Sequence, residues 1–323
     1  MGRIPPPSIV VLTTACNTYI KWAEIWERLH GVPVVTIDVP GTRAAGGAAW
    51  PSEDDYRADL AYVTAQLREL VAECERVTGV GFDIDRLRET LALANRVHES
   101  YGRLLDLNTK RPAPFNAVTD GTVFMGVANG LRGTPAGARY FEELVEEMTF
   151  KARAGLGPLD EERYRLTFLG VPCYPIFRRF NDMFAEWGGA FVTSSYLWFA
   201  SGGADLGWQY DLRRPIESLA EGLLASVRHA TDCMLFPDRA LASAIERFRL
   251  DGVVFHSVKS CRTVSTGLAD TRRAVSERHG IPSLLLEADM MDRRVVSEAQ
   301  LKNRIDAFFE GLAMRAAPGG ART

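Results

Sequence analysis

Residues 250–289, LDGVVFHSVKSCRTVSTGLADTRRAVSERHGIPSLLLEAD, decide the fold. Val253, Val254 and Phe255 form an apolar run suited to a strand buried on both faces, and residues 283–286 make a second. Between them, residues 268–279 have helical composition, and Gly280 stands where a C-cap glycine belongs. The pattern is a βαβ unit. Ligands of open parallel sheets sit beyond the carboxyl ends of the strands, and the turn over residues 256–267 is at such an end. Cys261 therefore stands where chemistry is concentrated in folds of this kind.

The same order recurs at the start of the chain. Residues 8–13 (SIVVLT) read as a buried strand, Cys16 lies in a polar turn, residues 18–30 read as a helix, and residues 32–39 as the next strand. Residues 40–51, rich in Gly and Ala, predict a loop. Ser52 and Asp55 resemble a capping box opening a helix to about residue 77, and Asp83 caps a second helix to residue 106. KRPAP at 110–114 breaks the pattern, and helices are expected over 116–129 and 136–154, the latter with an acidic, solvated face. After a linker at 156–161 come a strand (164–170), a helix (177–187), a strand (190–193), a loop (198–214) and helices over 215–227, 238–248 and 297–314. The reading is an α/β protein with two α/β domains, parallel Rossmann-like or flavodoxin-like sheets and a helical insertion. Residues 1–157 form the N-terminal α/β segment with its long helical region, and residues 158–323 the C-terminal α/β domain.

Composition narrows the function. The chain has 323 residues, 46% hydrophobic content and a net charge of −3, so it can bury real cores and shows no basic footprint for nucleic acid. It has no apolar run of about 18 residues and no signal-peptide pattern at its start, and the expectation is a cytoplasmic protein with no membrane partner. Its five cysteines (Cys16, Cys74, Cys173, Cys233, Cys261) are odd in number, scattered, and form no CxxC pair, which argues against a disulfide framework.

Cys261 has Lys259 and Arg262 beside it, and neighbouring cations favour the thiolate that binds iron or attacks an electrophile. An ordinary buried cysteine is the alternative. Cys16 occupies a similar polar turn, while Cys74 and Cys233 read as small packing hydrophobes. Cys173, in GVPCYP just past a strand, falls between these cases. His256 is the one histidine in the candidate site, either as a hydrogen-bonding group or as a satisfied core residue. No Ser/His/Asp order, HExxH or P-loop is present, and SGGADLG at 201–207 lacks the dinucleotide pattern.

Six segments, in order along nearly the whole chain, resemble the 2-hydroxyacyl-CoA dehydratase and benzoyl-CoA reductase family of iron-sulfur proteins. They are CNTYIKWAEIWERLHGVPVVTIDVP, KRPAPFNAV, LRGTPAGARYFEELVEEM, EERYRLTFLGVP, DGVVFHSVKSCRTVSTGLAD and IPSLLLEADMMDRRVVSEAQLKNRIDAFFEGL. The last two look most like benzoyl-CoA reductase subunits. The resemblance implies a 4Fe-4S cluster held by cysteines of separate domains, with Cys16 and Cys261 as metal ligands. It also implies a third ligand cysteine upstream of Cys16, and no cysteine of this sequence stands there. A ligand before Met1, Cys173 brought close in space, or a residue of a partner chain remain as alternatives. The implied partners are a homologous sister subunit, an ATP-hydrolysing iron-sulfur activator that passes on single electrons, and an aromatic or 2-hydroxy acyl-CoA. His256, Lys259 and Arg262 are then the candidate catalytic groups, and Ser257, Ser260 and Thr263 the candidate hydroxyls beside a cluster sulfur or thioester oxygen. The expected activity is ATP-dependent reduction of an aromatic acyl-CoA. The alternatives are radical dehydration of a 2-hydroxyacyl-CoA and a cluster-free interaction subunit of such a complex.

Overall fold

The structure is a computed structural model and describes residues 5–41, 52–199, 201–235 and 238–316. Strand β1 (Val10–Thr13), helix α1 (Asn17–His30) and strand β2 (Val34–Ile37) form the first βαβ unit, with β1 and β2 parallel from Val10↔Val34 to Thr13↔Ile37. Gly31 ends α1 at φ 63, a left-handed position that glycine adopts without penalty. The loop expected over 40–51 lies almost wholly outside the described residues.

Helix α2 (Glu53–Thr78) starts as its sequence predicts: Ser52 Oγ accepts from Asp55 N at 3.2 Å and donates to Asp55 Oδ2 at 2.8 Å. Helix α3 (Ile84–Leu107) is capped by Asp83. Helix α4 (Thr119–Leu131) begins later than the expected residue 116, because Asn116 Oδ1 accepts from Val118 N and Thr119 N and folds those residues into an Asx turn. Helix α5 (Pro135–Ala154) opens on a Thr134 cap and keeps Glu143, Glu146 and Glu147 in solvent, as its acidic face predicts.

The second sheet has strand order β4-β3-β5-β6, all parallel. In chain order its elements are β3 (Tyr164–Leu169), α6 (Phe177–Ala185), β4 (Gly189–Ser194), α7 (Ser195–Phe199), α8 (Pro215–Leu235), α9 (Asp238–Phe248), β5 (Gly252–Val258), α10 (Arg262–Ser265), α11 (Leu268–His279), β6 (Ser283–Ala288) and α12 (Glu298–Ala316). The segment expected to be a loop over 198–214 holds the end of α7 and a 3-10 turn, Ala204–Leu206. Helix α8 runs to Leu235, beyond the expected 227. The chain goes outward from β3 to β4 and then crosses back to β5 and β6. The order of connection reverses between β3 and β5, which is where such sheets bind ligands.

One apolar core joins the helical layer to this sheet. Tyr101 and Leu104 of α3, Phe141 of α5, Phe168 and Phe191 of the sheet, Phe180 and Phe184 of α6 and Phe309 of α12 are all buried in it. A second cluster sets Ile37 and Val39 against Val63 and Leu67 of α2 and Ala220 and Leu224 of α8, so a helix from the second half of the chain covers the first sheet. The buried charge at the base of the main sheet is also satisfied. Arg165 Nη1 meets Glu162 Oε1 at 2.5 Å, and its other nitrogens donate to the carbonyls of Phe248 and Asn108.

Candidate functional site

Each βαβ unit carries a cysteine three residues past one strand and an aspartate one residue past the parallel neighbour. Cys16 follows β1, which ends at Thr13, and Asp38 follows β2, which ends at Ile37. Cys261 follows β5, which ends at Val258, and Asp289 follows β6, which ends at Ala288. Both cysteines take extended backbone at the position before a helix, with φ −141 for Cys16 and −126 for Cys261, and neither side chain caps its helix. Both are half-buried thiols. Their sulfurs are therefore not used up by local structure.

The aspartates brace these turns. Asp289 is 2% exposed, and its carboxylate accepts from Ser260 N at 2.8 Å and from Met291 N and Asp292 N at 2.9 Å. Burial alone would raise its pKa, but hydrogen bonds from Ser260, Met291 and Asp292 outweigh that and hold the carboxyl well below the usual range. On the other side of the turn, Ser265 Oγ donates to Val258 O at 2.8 Å and accepts from Val258 N at 2.9 Å. At the first sheet, Thr14 Oγ1 donates to Asp38 Oδ1 at 2.7 Å and Gln66 Oε1 accepts from Asp38 N at 2.7 Å.

The remaining candidates divide between surface and core. Lys259 is exposed, pairs with Glu287 at 3.1 Å, and lines a cavity of about 200 Å³ with Gln300 and Arg304 of α12. Ser260 on the turn and Arg262 and Thr263 in the first turn of α10 are at the surface, and Ser257 is half-buried inside β5. His256 also lies within β5, not in the turn where the sequence reading puts it, because β5 pairs with β6 through Val258. It is fully buried, its ring faces Phe168 and Phe180, and its Nδ1 lies 2.6 Å from the Val171 carbonyl. That carbonyl can only accept, so Nδ1 carries the proton, and burial lowers the ring's pKa and keeps it neutral. Gly170 makes this approach possible: it has φ 123, and a Cβ there would stand 2.7 Å from His256 O.

Cys173 lies just past β3 and beside the end of β6, where it is fully buried and its thiol donates to Asp289 O at 3.5 Å. Burial pushes its pKa up to about 11, so it stays a protonated thiol. Cys74 lies on α2 and is half-buried, while Cys233 lies on α8. Among the described residues no three His, Cys, Asp or Glu side chains converge as a metal site. A 4Fe-4S cluster needs more thiolates than the two strand-end cysteines supply, so these residues alone do not fit a complete cluster site. The bracing aspartates are absent from the candidates that the sequence suggests. Their signal is nonetheless present, since each follows directly on an apolar strand.

The sequence model of the family described as 2-hydroxyglutaryl-CoA dehydratase, D-component, matches residues 1–312. The chain belongs to this family. Among similar proteins, this D-component family member is 30% identical to a benzoyl-CoA reductase subunit of Thauera aromatica, over 95% of this chain and 71% of the relative. It is 26% identical to the (R)-phenyllactyl-CoA dehydratase alpha subunit of Clostridium sporogenes, over 95% of this chain and 71% of the relative. It is 25% identical to the alpha subunit of (R)-2-hydroxyglutaryl-CoA dehydratase of Acidaminococcus fermentans, over 95% and 60% respectively. No helix among the described residues is long and apolar enough to cross a membrane.

Proposed function

We propose that this chain is a subunit of an ATP-dependent acyl-CoA reductase of the benzoyl-CoA reductase type, working with a homologous sister subunit and an ATP-hydrolysing iron-sulfur activator. Cys16 and Cys261 are its contribution of thiolates to an iron-sulfur cluster whose other ligands come from outside the described residues. The observation that carries the reading is the repeated arrangement at two strand ends, a braced turn presenting one thiol in each α/β unit. Low-potential electron delivery is the chemistry such a cluster supplies when bound. What this chain's own residues do is narrower. Asp289 and Ser265 hold the Cys261 turn rigid, as a site built on a sheet edge requires. In this reading Lys259, Arg262 and the hydroxyls of Ser257, Ser260 and Thr263 are the groups that would meet an anionic or carbonyl oxygen of an acyl-CoA, and the neutral His256 ring supports strand β5 from the core.

A second reading, a 2-hydroxyacyl-CoA dehydratase subunit, is favoured by the family description and by the 26% and 25% identity to two dehydratase alpha subunits. The test is anaerobic purification with the sister subunit, followed by parallel assays with benzoyl-CoA and a 2-hydroxyacyl-CoA in the presence of activator and ATP. Reduction of benzoyl-CoA supports the first reading, and loss of water from the hydroxyacyl thioester supports the second. Iron-free complex whose activity survives both Cys16→Ser and Cys261→Ser would leave this chain as an interaction subunit and overturn its role in holding metal.

A further inference from the structure

Away from the strand ends, the helical layer encloses polar side chains for which the proposed chemistry has no use. His98 and Tyr101 lie nearly one turn apart on α3, and both are fully buried. His98 Nδ1 is 2.6 Å from the Trp208 carbonyl, which can only accept, so Nδ1 bears the proton and Nε2 offers a lone pair. Burial, assisted by the Arg132 charge, brings the His98 pKa down to about 4, so the ring is neutral at pH 7. Arg132, just past α4, donates Nη1 to Gly202 O at 2.7 Å and Nη2 to Ser201 O and Asn129 Oδ1. Every one of these acceptors is uncharged. The nearby Asp205 carboxylate is engaged elsewhere, accepting from Ser201 Oγ at 2.5 Å and facing His229 Nε2 at 2.7 Å.

Four buried polar atoms of this group have no partner among the described residues: His98 Nε2, Tyr101 Oη, Arg132 Nε and Trp208 Nε1. They belong to one neighbourhood. The rings of His98 and Tyr210 are 5.5 Å apart, and a Cβ on Gly222 of α8 would stand 3.1 Å from Trp208 Nε1 and 2.8 Å from Tyr210 Cε1. A Cβ on Gly202 would stand 2.9 Å from Arg132 Nη1. Buried donors and acceptors are nearly always paired, so four unpartnered atoms on these neighbouring segments point to a small shared occupant.

We propose that these groups together bind a small oxyanion that retains one proton, of which bicarbonate is the simplest. The reasoning is a match of donors to acceptors. Tyr101 Oη, Arg132 Nε and Trp208 Nε1 are three donors for the anion's oxygens, His98 Nε2 is one acceptor for its O–H, and the guanidinium supplies the compensating charge. The occupant would pin the 201–210 segment between α3 and α8, the helix that also covers the first sheet. This inference stands independently of the acyl-CoA reading.

The test uses the full chain with bicarbonate as the probe and chloride at equal ionic strength as the control. Bicarbonate at tens of millimolar should raise the thermal midpoint of the wild type by a few degrees over chloride, and Tyr101→Phe or Trp208→Phe, each lacking one donor, should abolish the difference. A crystal structure with bicarbonate should show planar four-atom density within hydrogen-bond distance of Tyr101 Oη, Trp208 Nε1 and His98 Nε2. Ordered water alone at those atoms would overturn the proposal. So would an equal response to chloride, or an unchanged bicarbonate response in both variants. Should the variants fail to fold, the wild-type crystal decides.

Discussion

Replacing Asp289 by Asn probes the brace beneath the Cys261 turn with almost no change of shape. The carboxylate accepts three backbone hydrogen bonds, from Ser260, Met291 and Asp292, at 2.8–2.9 Å. An amide can keep its oxygen toward Met291 and Asp292, and its NH2 group then faces Ser260 N–H, donor against donor. Losing one charge-assisted bond is worth about 1.5–3 kcal/mol, and the two retained bonds weaken without the charge, so the expected loss is about 2–4 kcal/mol at pH 7. The pH dependence has a fixed sign. The folded carboxyl lies below its unfolded value of about 3.9, so its stabilisation is complete above that pH and disappears as pH falls toward the folded pKa. Urea unfolding of wild type and Asp289→Asn at pH 7 and at about pH 3 measures both effects, with the gap between the two proteins expected to narrow in acid. A gap under about 0.5 kcal/mol at pH 7, or one that does not narrow in acid, would refute the brace.

Three further outcomes follow from the same geometry. Glu162→Gln leaves the Arg165 guanidinium buried without its carboxylate and should cost about 3–5 kcal/mol in chemical denaturation, so a loss under about 1 kcal/mol would contradict the buried pair. Gly170→Ala should lower the thermal midpoint by several degrees, because the left-handed backbone alone costs about 1–3 kcal/mol and the new Cβ meets His256 O; an unchanged midpoint counts against the close β3–β5 approach. In native protein at pH 8, iodoacetamide should label Cys16 and Cys261 well before Cys173, whose pKa burial pushes up to about 11. Mass spectrometry showing Cys173 labelled as fast as Cys261 would contradict its placement.

Both βαβ units are legible in the sequence because their strands read as unbroken apolar runs and Gly31 and Gly280 stand at the ends of their helices. Of these strands only β5 is buried on both faces: Val11 of β1 is 48% exposed, β2 buries only Ile37, and β6 buries every second residue, so apolar runs mark the strands without fixing how far they are covered. The helix expected over 268–279 has those bounds in the structure. Asn116 is harder to place because an Asx turn and a helix start share the same local composition, and only the hydrogen bonds to Val118 and Thr119 separate them. The thiols are legible as candidates, but what frames them is not. Asp289 acts on Ser260 across a strand-to-strand contact, Arg165 reaches carbonyls from separate segments, and α8 closes over a sheet built from the start of the chain. Such long-range pairings leave no local period for a sequence reading to detect. The unpartnered polar group is hidden for the same reason: His98 and Arg132 reach the 201–210 segment only when the helical layer folds over it.

The most direct measurement is the iron content and ultraviolet-visible spectrum of the complex purified anaerobically with its sister subunit, as wild type and as Cys261→Ser. The expected result is brown, oxygen-sensitive wild-type protein that loses iron and colour in the variant while its fold, followed by circular dichroism, is retained. Wild-type complex that is colourless and iron-free, or a Cys261→Ser complex that keeps the full iron and spectrum of the wild type, would contradict the assignment of Cys261 as a metal-binding thiolate.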